Sequence, residues 1–262
     1  LQSFDDVLLL KLNRVHTREE ALKALDQIEA SSFSNVNYDL IFAIPGQSLA
    51  MLEEDLSIML SYRPSHLSLY NLTIEPKTVF DNWKRNGKLA DFPDDLAAQQ
   101  YSSIIEVLKK NGYDHYEISN FALPGAYSRH NSNYWRQVTY LGLGPAAHSF
   151  KKNQRSFNIE HNYRYIKGMR DGQPERSVEI LTPTDQLNEY LLTGLRTNWG
   201  CSLSYIKETF AIDLMQKENT IIQKHLQAGH IKIQQDHLYL SQAGKMLADG
   251  IIADLFQLPT KN

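Results

Sequence analysis

Four short polar segments follow apolar, strand-like runs and carry side chains that could bind a small molecule. They are Gln2-Ser3-Phe4, Pro45-Gly46-Gln47, Thr73-Ile74-Glu75-Pro76 and Ser119-Asn120-Phe121. In parallel α/β sheets and barrels, ligands bind beyond the carboxyl ends of the strands, where such segments meet. Their polar side chains are therefore predicted to converge on a common ligand. The same residue types also populate turns and helix caps, so a purely local role stays open for each segment.

Asp39 stands inside an otherwise apolar run, 36–44, where an ionised carboxylate is costly unless it is paired or hydrogen-bonded. Two interpretations follow. The carboxylate contacts a polar ligand from inside a barrel, or it forms an internal ion pair with a residue such as Arg14. The sequence favours neither over the other.

The segment His130-Asn131-Ser132-Asn133-Tyr134-Trp135 combines an imidazole, two amides, a phenol and an indole. Such a group could hold a flat aromatic ligand by stacking and by axial coordination through the histidine. The alternative is a histidine that is simply packed and hydrogen-bonded. The nearby Gly142-Leu143-Gly144 lacks the third glycine of a dinucleotide-binding fingerprint, and no phosphate-binding loop, zinc spacing or Ser–His–Asp order is found.

The elements that position these residues alternate between helix and strand in the first half of the chain. Capping signals at Thr17, Ser48 and Asp94 open three helices with apolar residues at helical spacing. The runs 36–44, 66–72 and 113–121 are typical of strands. Strands separated by helices require crossover connections, so the pattern predicts a parallel sheet and an α/β fold.

The second half is less regular between residues 122 and 183, and Pro183 marks a plausible boundary. Helical patterns follow it, and residues 231–240 are typical of a hairpin around Gln235-Asp236, with Ser241 as the cap of a last helix. This layout is winged-helix-like. DNA recognition would require a stripe of Lys and Arg, but acidic residues interrupt the basic ones, so a packing or lid role is favoured. The interrupting acidic residues are Glu208, Asp213, Glu218, Asp236, Asp249 and Asp254.

Composition limits the class of protein further. The 262 residues are 42% hydrophobic and carry a formal charge of −3, which is typical of a globular protein and argues against affinity based on nucleic-acid phosphates. The single cysteine, Cys201, excludes an internal disulfide and a multi-thiolate metal site, and it fits a reducing cytoplasm. No apolar run approaches the roughly 20 residues of a membrane span, and the first residues are not a signal peptide.

Several motifs together resemble one family. They are Gln2-Ser3-Phe4-Asp5 with Asn13-Arg14, Asn37-Tyr38-Asp39-Leu40-Ile41 before Pro45-Gly46-Gln47, Tyr70 to Pro76, His115 to Ala122, and Leu141 to Pro145. On these residues the chain resembles the radical S-adenosylmethionine (SAM) proteins grouped with oxygen-independent coproporphyrinogen III oxidase. Within them it looks most like the heme chaperones (HemW), because His130 to Trp135 is similar to their HNxxYW motif.

The resemblance implies the later part of a partial (β/α)6 barrel, followed by a mainly helical, winged-helix-like C-terminal domain. The implied divisions are 1–150 for the barrel units, 151–183 for a connecting segment and 184–262 for the C-terminal domain. By similarity, Gln2, Arg14, Asp39 and Thr73 fall on or near positions that contact SAM, and His130 falls on a heme contact. An amide, a guanidinium and a carboxylate could hydrogen-bond the methionyl and ribose groups of SAM.

The family's cysteine-rich cluster loop is absent from this chain, so the [4Fe-4S] cluster is expected only in a longer parent protein, and SAM cleavage is not expected here. Whether the chain counts as an enzyme is left open. The favoured function is heme binding and transfer to acceptor proteins in the cytoplasm, without nucleic acid or membrane embedding. The alternatives are oxidative decarboxylation of coproporphyrinogen III, or a non-catalytic scaffold. An open barrel edge at Gln2 also predicts self-association or disorder of the first residues.

Overall fold

The computed structural model of the protein describes residues 1–258 and divides into two compact units. The first is Leu1–Tyr127 and the second begins at Ser128. The domain limits at residues 150 and 183 stay a prediction about how the family divides its chain.

The first unit has the α/β character that the sequence predicts. Its helices are α1 (Asp6–Lys11), α2 (Arg18–Glu29), α3 (Leu49–Ser61), α4 (Val79–Arg85) and α5 (Asp94–Lys110). Its strands are β1 (Asn37–Phe42), β2 (His66–Asn71), β3 (Asp114–Glu117) and β4 (Asn120–Ala122).

The sheet of this unit has the order β1-β2-β4-β3 and is mixed, not fully parallel. Strands β1 and β2 are parallel, with Asn37 opposite His66 and Asp39 opposite Ser68. The prediction of one strand over 113–121 is wrong, because the chain turns back between β3 and β4 and inserts β4 beside β2. Since both contacts of β4 are antiparallel, β3 still runs in the direction of β1 and β2, as a crossover connection requires.

One face of this sheet is covered by helices α2, α3 and α5. Alternation along β1 directs Tyr38, Leu40 and Phe42 into that core, while the intervening residues face the opposite side. The helices contribute buried residues at helical spacing, including Leu25 on α2 and Leu56 on α3. Each such buried leucine adds about 1.5–3 kcal/mol of hydrophobic stabilisation, so the core holds β1 and β2 rigidly.

Capping residues define where two of the predicted helices begin. The Thr17 and Ser48 side chains accept hydrogen bonds from the backbone N–H groups of Glu20 and Met51, as predicted. The cap predicted at Asp94 is wrong. Helix α5 begins with Asp94 as its first helical residue and Pro93 as its cap, without a side-chain hydrogen bond. Asp94 there places negative charge at the positive end of the helix dipole.

The second unit contains two three-stranded sheets and a larger share of helix. Its helices are α6 (Arg129–Trp135), α7 (Asn162–Arg170), α8 (Pro183–Leu195), α9 (Leu203–Phe210), α10 (Leu214–Lys217), α11 (Asn219–Gln227), α12 (Gln242–Met246) and α13 (Ala248–Asp254). Its strands are β5 (His148–Lys151), β6 (Gln154–Asn158), β7 (Arg176–Ile180), β8 (Cys201–Ser202), β9 (Ile231–Gln234) and β10 (His237–Leu240).

The winged-helix-like pattern is present after residue 183. Strands β9 and β10 form the predicted hairpin, and β8 joins them to give the order β8-β10-β9. Ser241 caps α12 by accepting from the Gly244 backbone N–H at 3.0 Å, as predicted. The antiparallel sheet β5-β6-β7 lies in the region that shows no regular pattern in the sequence. Among residues 1–258, no helix combines the length and apolar character needed to cross a membrane.

Candidate functional site

The sheet face opposite the core in the first unit is polar. Because side chains alternate along a strand, Asn37 and Asp39 on β1 share this face, and the parallel register places His66 and Ser68 of β2 directly beside them. His66 and Ser68 are buried. Buried polar groups require hydrogen-bond partners, so this face must contain a satisfied polar network.

That network is a row of short hydrogen bonds. Asp39 Oδ1 accepts from Asn37 Nδ2 at 2.7 Å. Asn37 Oδ1 lies 2.6 Å from His66 Nδ1, and Ser68 Oγ donates to the same oxygen at 3.2 Å. His66 Nε2 lies 2.7 Å from the Tyr116 hydroxyl. Burial lowers the pKa of His66, and the charge of Asp39 acts in the opposite direction.

Oδ1 of Asp39 is therefore hydrogen-bonded to a residue of the same strand. Among the described residues no ion pair joins it to Arg14, so that interpretation of Asp39 is wrong. The side chain is only half-buried, and the described residues give its Oδ2 no hydrogen bond. The second oxygen is the one that a polar ligand could use, and the ligand role of Asp39 stays a prediction.

Gln2 lies at the same edge of the sheet as Asp39. The Gln2 backbone N–H donates to the Asp39 carbonyl at 2.9 Å, and the Ile41 N–H donates to the Gln2 carbonyl at 2.9 Å. Arg14 is exposed in the turn after α1. That the Gln2 amide, the Arg14 guanidinium and the Asp39 carboxylate share one ligand stays a prediction.

The backbone of Gln2 has an unusual conformation, and Asp55 anchors the two residues that follow it. Gln2 has a φ of 76°, a left-handed value that costs a non-glycine residue about 1–2 kcal/mol. The next two residues are anchored to α3, since Ser3 Oγ donates to Asp55 Oδ2 at 2.7 Å and the Phe4 N–H donates to Oδ1 at 2.8 Å. Asp55 was missed by the sequence analysis, although an acidic residue inside an apolar helix stripe was a signal that could have indicated it.

Thr73 lies apart from this group. It is exposed and follows Ser68, the register partner of Asp39, by five residues. At about 3.3 Å per residue, that separation is on the order of 16 Å along the strand direction. The role of Thr73 as a SAM contact stays a prediction, and no described contact links it to Gln2, Arg14 or Asp39.

The other two strand-end segments use polar groups locally. The Gln47 carbonyl accepts from Gln100 Nε2 at 3.2 Å, and the Pro45 carbonyl accepts from Lys11 Nζ at 3.1 Å. The Ser119 carbonyl accepts from the Leu69 N–H at 2.8 Å. These contacts of backbone carbonyls hold the turns against neighbouring elements, and the convergence of the side chains of these segments on a ligand stays a prediction.

In the second unit, His130 begins a row of aromatic side chains. Ser128 caps α6, and His130 and Tyr134 share one face of that helix with ring centroids 4.8 Å apart and an interplanar angle of 88°. Tyr134 contacts Tyr140 at 4.5 Å, and Tyr140 stacks on Phe150 at 6.2 Å. His130 is exposed, and among residues 1–258 its ring nitrogens have no hydrogen bond. The imidazole therefore projects from an aromatic surface with its ring nitrogens accessible.

The Gly142-Leu143-Gly144 run beside this surface is explained by tight packing. A Cβ on Gly142 would lie 2.1 Å from the backbone carbonyl oxygen of His148, which no side chain could tolerate. The neighbouring Leu141 and Leu143 are 67% and 80% exposed. The run consequently presents apolar side chains outward while its backbone is held against β5.

The residues present do not fit an iron–sulfur cluster. Such clusters are held by several thiolates, and the sole cysteine, Cys201, is fully buried. Burial raises the pKa of its thiol far above the ordinary range. Within residues 1–258, no group of three or more His, Cys, Asp and Glu side chains could hold a metal ion.

Comparisons with known proteins agree over most of the chain. Residues 181–247 match the family model of the HemN C-terminal domain. The chain is 32% identical to the heme chaperone HemW of Bacillus subtilis over 96% of its length and 66% of that protein. It is 34% identical to the heme chaperone HemW of Lactococcus lactis over 80% of its length and 55% of that protein. The chain thus spans less than two thirds of these relatives.

A solved structure has a similar fold. It is that of the coproporphyrinogen III oxidase HemN from Escherichia coli, described as a radical SAM enzyme, and it matches with a TM-score of 0.76. The match covers 98% of this chain and 63% of that chain at 18% sequence identity. The fold is therefore that of a partial radical SAM barrel with its C-terminal domain, as the sequence predicts.

Proposed function

The chain belongs to the HemW/HemN-like radical SAM family, and on that premise we propose that it is a heme-holding part of a heme chaperone. Heme binds beside His130 and passes to acceptor proteins. The observation that carries this proposal is the exposed His130 imidazole, free of hydrogen bonds among the described residues, at the end of the row with Tyr134 and Tyr140. An imidazole nitrogen can ligate heme iron, and aromatic and leucine side chains suit a flat apolar macrocycle.

The sequence comparisons support a chaperone more than an oxidase. The relatives at 32% and 34% identity are named heme chaperones, whereas HemN is matched through its fold at 18% identity. A carrier also needs reversible binding, and an exposed site fits that need better than a closed pocket. The proposed compartment is the cytoplasm, which a buried free thiol fits.

SAM is the proposed ligand of the first unit. The Arg14 guanidinium would pair with the methionyl carboxylate, while the Gln2 amide and the free Oδ2 of Asp39 would hydrogen-bond amino or hydroxyl groups. Bound SAM supplies a sulfonium that a reduced cluster can cleave, and this chain's own residues do not include the thiolates for such a cluster. On this chain the three side chains therefore bind and orient SAM only.

A heme titration followed by Soret absorbance tests the function. The variants are His130→Asn and, as a matched control, His161→Asn, which removes another exposed imidazole but keeps a side chain able to cap α7. We expect the dissociation constant for heme to rise about tenfold or more in His130→Asn, because an iron–imidazole bond is lost, and to stay unchanged in the control.

Four outcomes are informative. Equal heme affinity in the wild type and both variants would remove His130 from the site and overturn the proposal. Transfer of bound heme to apomyoglobin, used as a general acceptor, would support the delivery step, and heme that never leaves the chain would contradict it. Decarboxylation of coproporphyrinogen III by a preparation that carries the cluster would favour the oxidase.

A further inference from the structure

His66 is a buried histidine whose two ring nitrogens both have a hydrogen-bond partner, Asn37 on β1 and the core residue Tyr116. It is 4% exposed and lies on β2, opposite Asn37 in the parallel register. Its Nδ1 lies 2.6 Å from Asn37 Oδ1, and its Nε2 lies 2.7 Å from the hydroxyl of Tyr116. Tyr116 is itself fully buried, so this end of the row is fixed by packing.

The direction of each hydrogen bond follows from the chemistry of the groups. A carboxylate only accepts, so the Asn37 amide must turn its nitrogen toward Asp39 Oδ1 and its oxygen toward His66. A carbonyl oxygen also only accepts, so Nδ1 of His66 carries the hydrogen. In the neutral imidazole that burial favours, Nε2 is then the acceptor from the Tyr116 hydroxyl.

The row is therefore unidirectional: Tyr116 donates to His66, His66 donates to Asn37, and Asn37 donates to Asp39. Its last member, Asp39, is a half-buried carboxylate on the polar face, with Oδ2 unused among the described residues. Hydrogen bonds in a chain polarise one another, and a carboxylate at the accepting end gains most from that alignment. The row therefore joins the fully buried Tyr116 to a half-buried carboxylate.

We propose that His66 and Asn37 are positioning residues that fix the carboxylate of Asp39 in the orientation in which it binds SAM. The inference rests on the proposed SAM site. His66 does not itself contact SAM. Its Nδ1–H holds the orientation of the Asn37 amide by a hydrogen bond, and the amide in turn holds Oδ1 of Asp39. Oδ2 is thereby presented to the ligand, which reduces the side-chain entropy lost on binding.

The test is isothermal titration calorimetry of the 262-residue chain with SAM, using two amide replacements of His66. His66→Asn places an amide N–H near the position of Nδ1 and keeps the donor to Asn37. His66→Gln places its amide near Nε2 and loses that donor while it retains a partner for Tyr116. We expect the SAM dissociation constant to rise about tenfold in His66→Gln and to change by less than about threefold in His66→Asn.

A double-mutant cycle with Asp39→Asn shows whether His66 acts through Asp39. In the Asp39→Asn background we expect His66→Gln to cause no further loss of SAM affinity. Equal losses in both His66 variants, or losses that add to that of Asp39→Asn, would overturn the positioning role. Absence of SAM binding by the wild type would overturn the proposed SAM site, and this inference with it. Binding that is the same in all His66 variants would overturn this inference alone.

A measurement on the wild type avoids any effect of the substitutions on folding. Nitrogen-15 NMR of histidine-labelled chain should show His66 as the neutral tautomer protonated at Nδ1. A signal from the tautomer protonated at Nε2 would reverse the direction of the row and contradict the proposal.

Discussion

Asp55 on α3 is a buried carboxylate whose replacement has a pH-dependent consequence. It is 2% exposed and accepts hydrogen bonds from Ser3 Oγ and the Phe4 N–H. Burial raises the pKa of Asp55 from 3.8 to about 6; the two hydrogen bonds oppose this rise, and the charges of Asp5 and Glu54 add to it. The folded chain therefore holds a proton on Asp55 more tightly than the unfolded chain.

The sign of the effect follows from proton linkage. Between about pH 4 and pH 6 the native state binds more protons than the unfolded state, so the free energy of unfolding falls as the pH rises. The difference between 3.8 and about 6 is roughly two pH units, which at about 1.36 kcal/mol per unit amounts to about 3 kcal/mol. This contribution is fully present below about pH 4 and lost above about pH 6.

The measurement is urea unfolding followed by circular dichroism, at intervals from about pH 4 to pH 7. In Asp55→Asn the amide oxygen still accepts from Phe4, and no charge is buried at high pH. We expect the stability of Asp55→Asn relative to the wild type to increase by about 3 kcal/mol across this range. Glu106→Gln, which removes an exposed carboxylate from α5, is the control and should show no such trend. A difference between Asp55→Asn and the wild type that does not change with pH would refute the reasoning.

Two further predictions concern the thiol and the sheet edge. Cys201 is fully buried and burial raises the pKa of its thiol, so Ellman's reagent should react with it only after unfolding in guanidinium; a fast stoichiometric reaction in the native chain would contradict this. Among residues 1–258, the outer edge of β1 is paired only where Gln2 bridges Leu40, so we expect self-association in multi-angle light scattering; a constant 30.1 kDa at every concentration would contradict it.

The helix starts show which features a sequence can predict. Thr17 and Ser48 cap their helices as expected, because each cap joins residues three positions apart. The hairpin of β9 and β10 and the Ser241 cap were also predicted, and they too depend on short-range turn chemistry. Asp94 was misassigned because an acidic residue suits both the cap and the first turn of a helix, and the local pattern does not separate the two.

The pairing of the strands is harder to predict from the sequence than the helix starts. The run from Tyr113 to Phe121 contains no glycine or proline to mark a turn, yet the chain reverses between Glu117 and Asn120 and adds an antiparallel strand. The reversal lets β4 pair with β2, a contact between residues about fifty positions apart that a local pattern does not contain. The sheet β5-β6-β7 is not evident from the sequence for a related reason, because its five-residue edge strand β7 is exposed along its whole length and pairs with residues about twenty positions away.

For the candidate site, too, the sequence predicts the residue motifs, and the tertiary structure decides their partners. The motifs around Gln2, Arg14 and Asp39 identified the family from residue types alone, and His130 stood out because of its aromatic neighbours. The partners of the polar groups around this site depend on the tertiary structure. Ser3, next to Gln2, bonds to Asp55 across 52 positions of the sequence, and His66 bonds to Tyr116 across 50. A buried polar side chain must find a partner, but its identity depends on strand register and helix packing, which long-range burial of apolar surface sets.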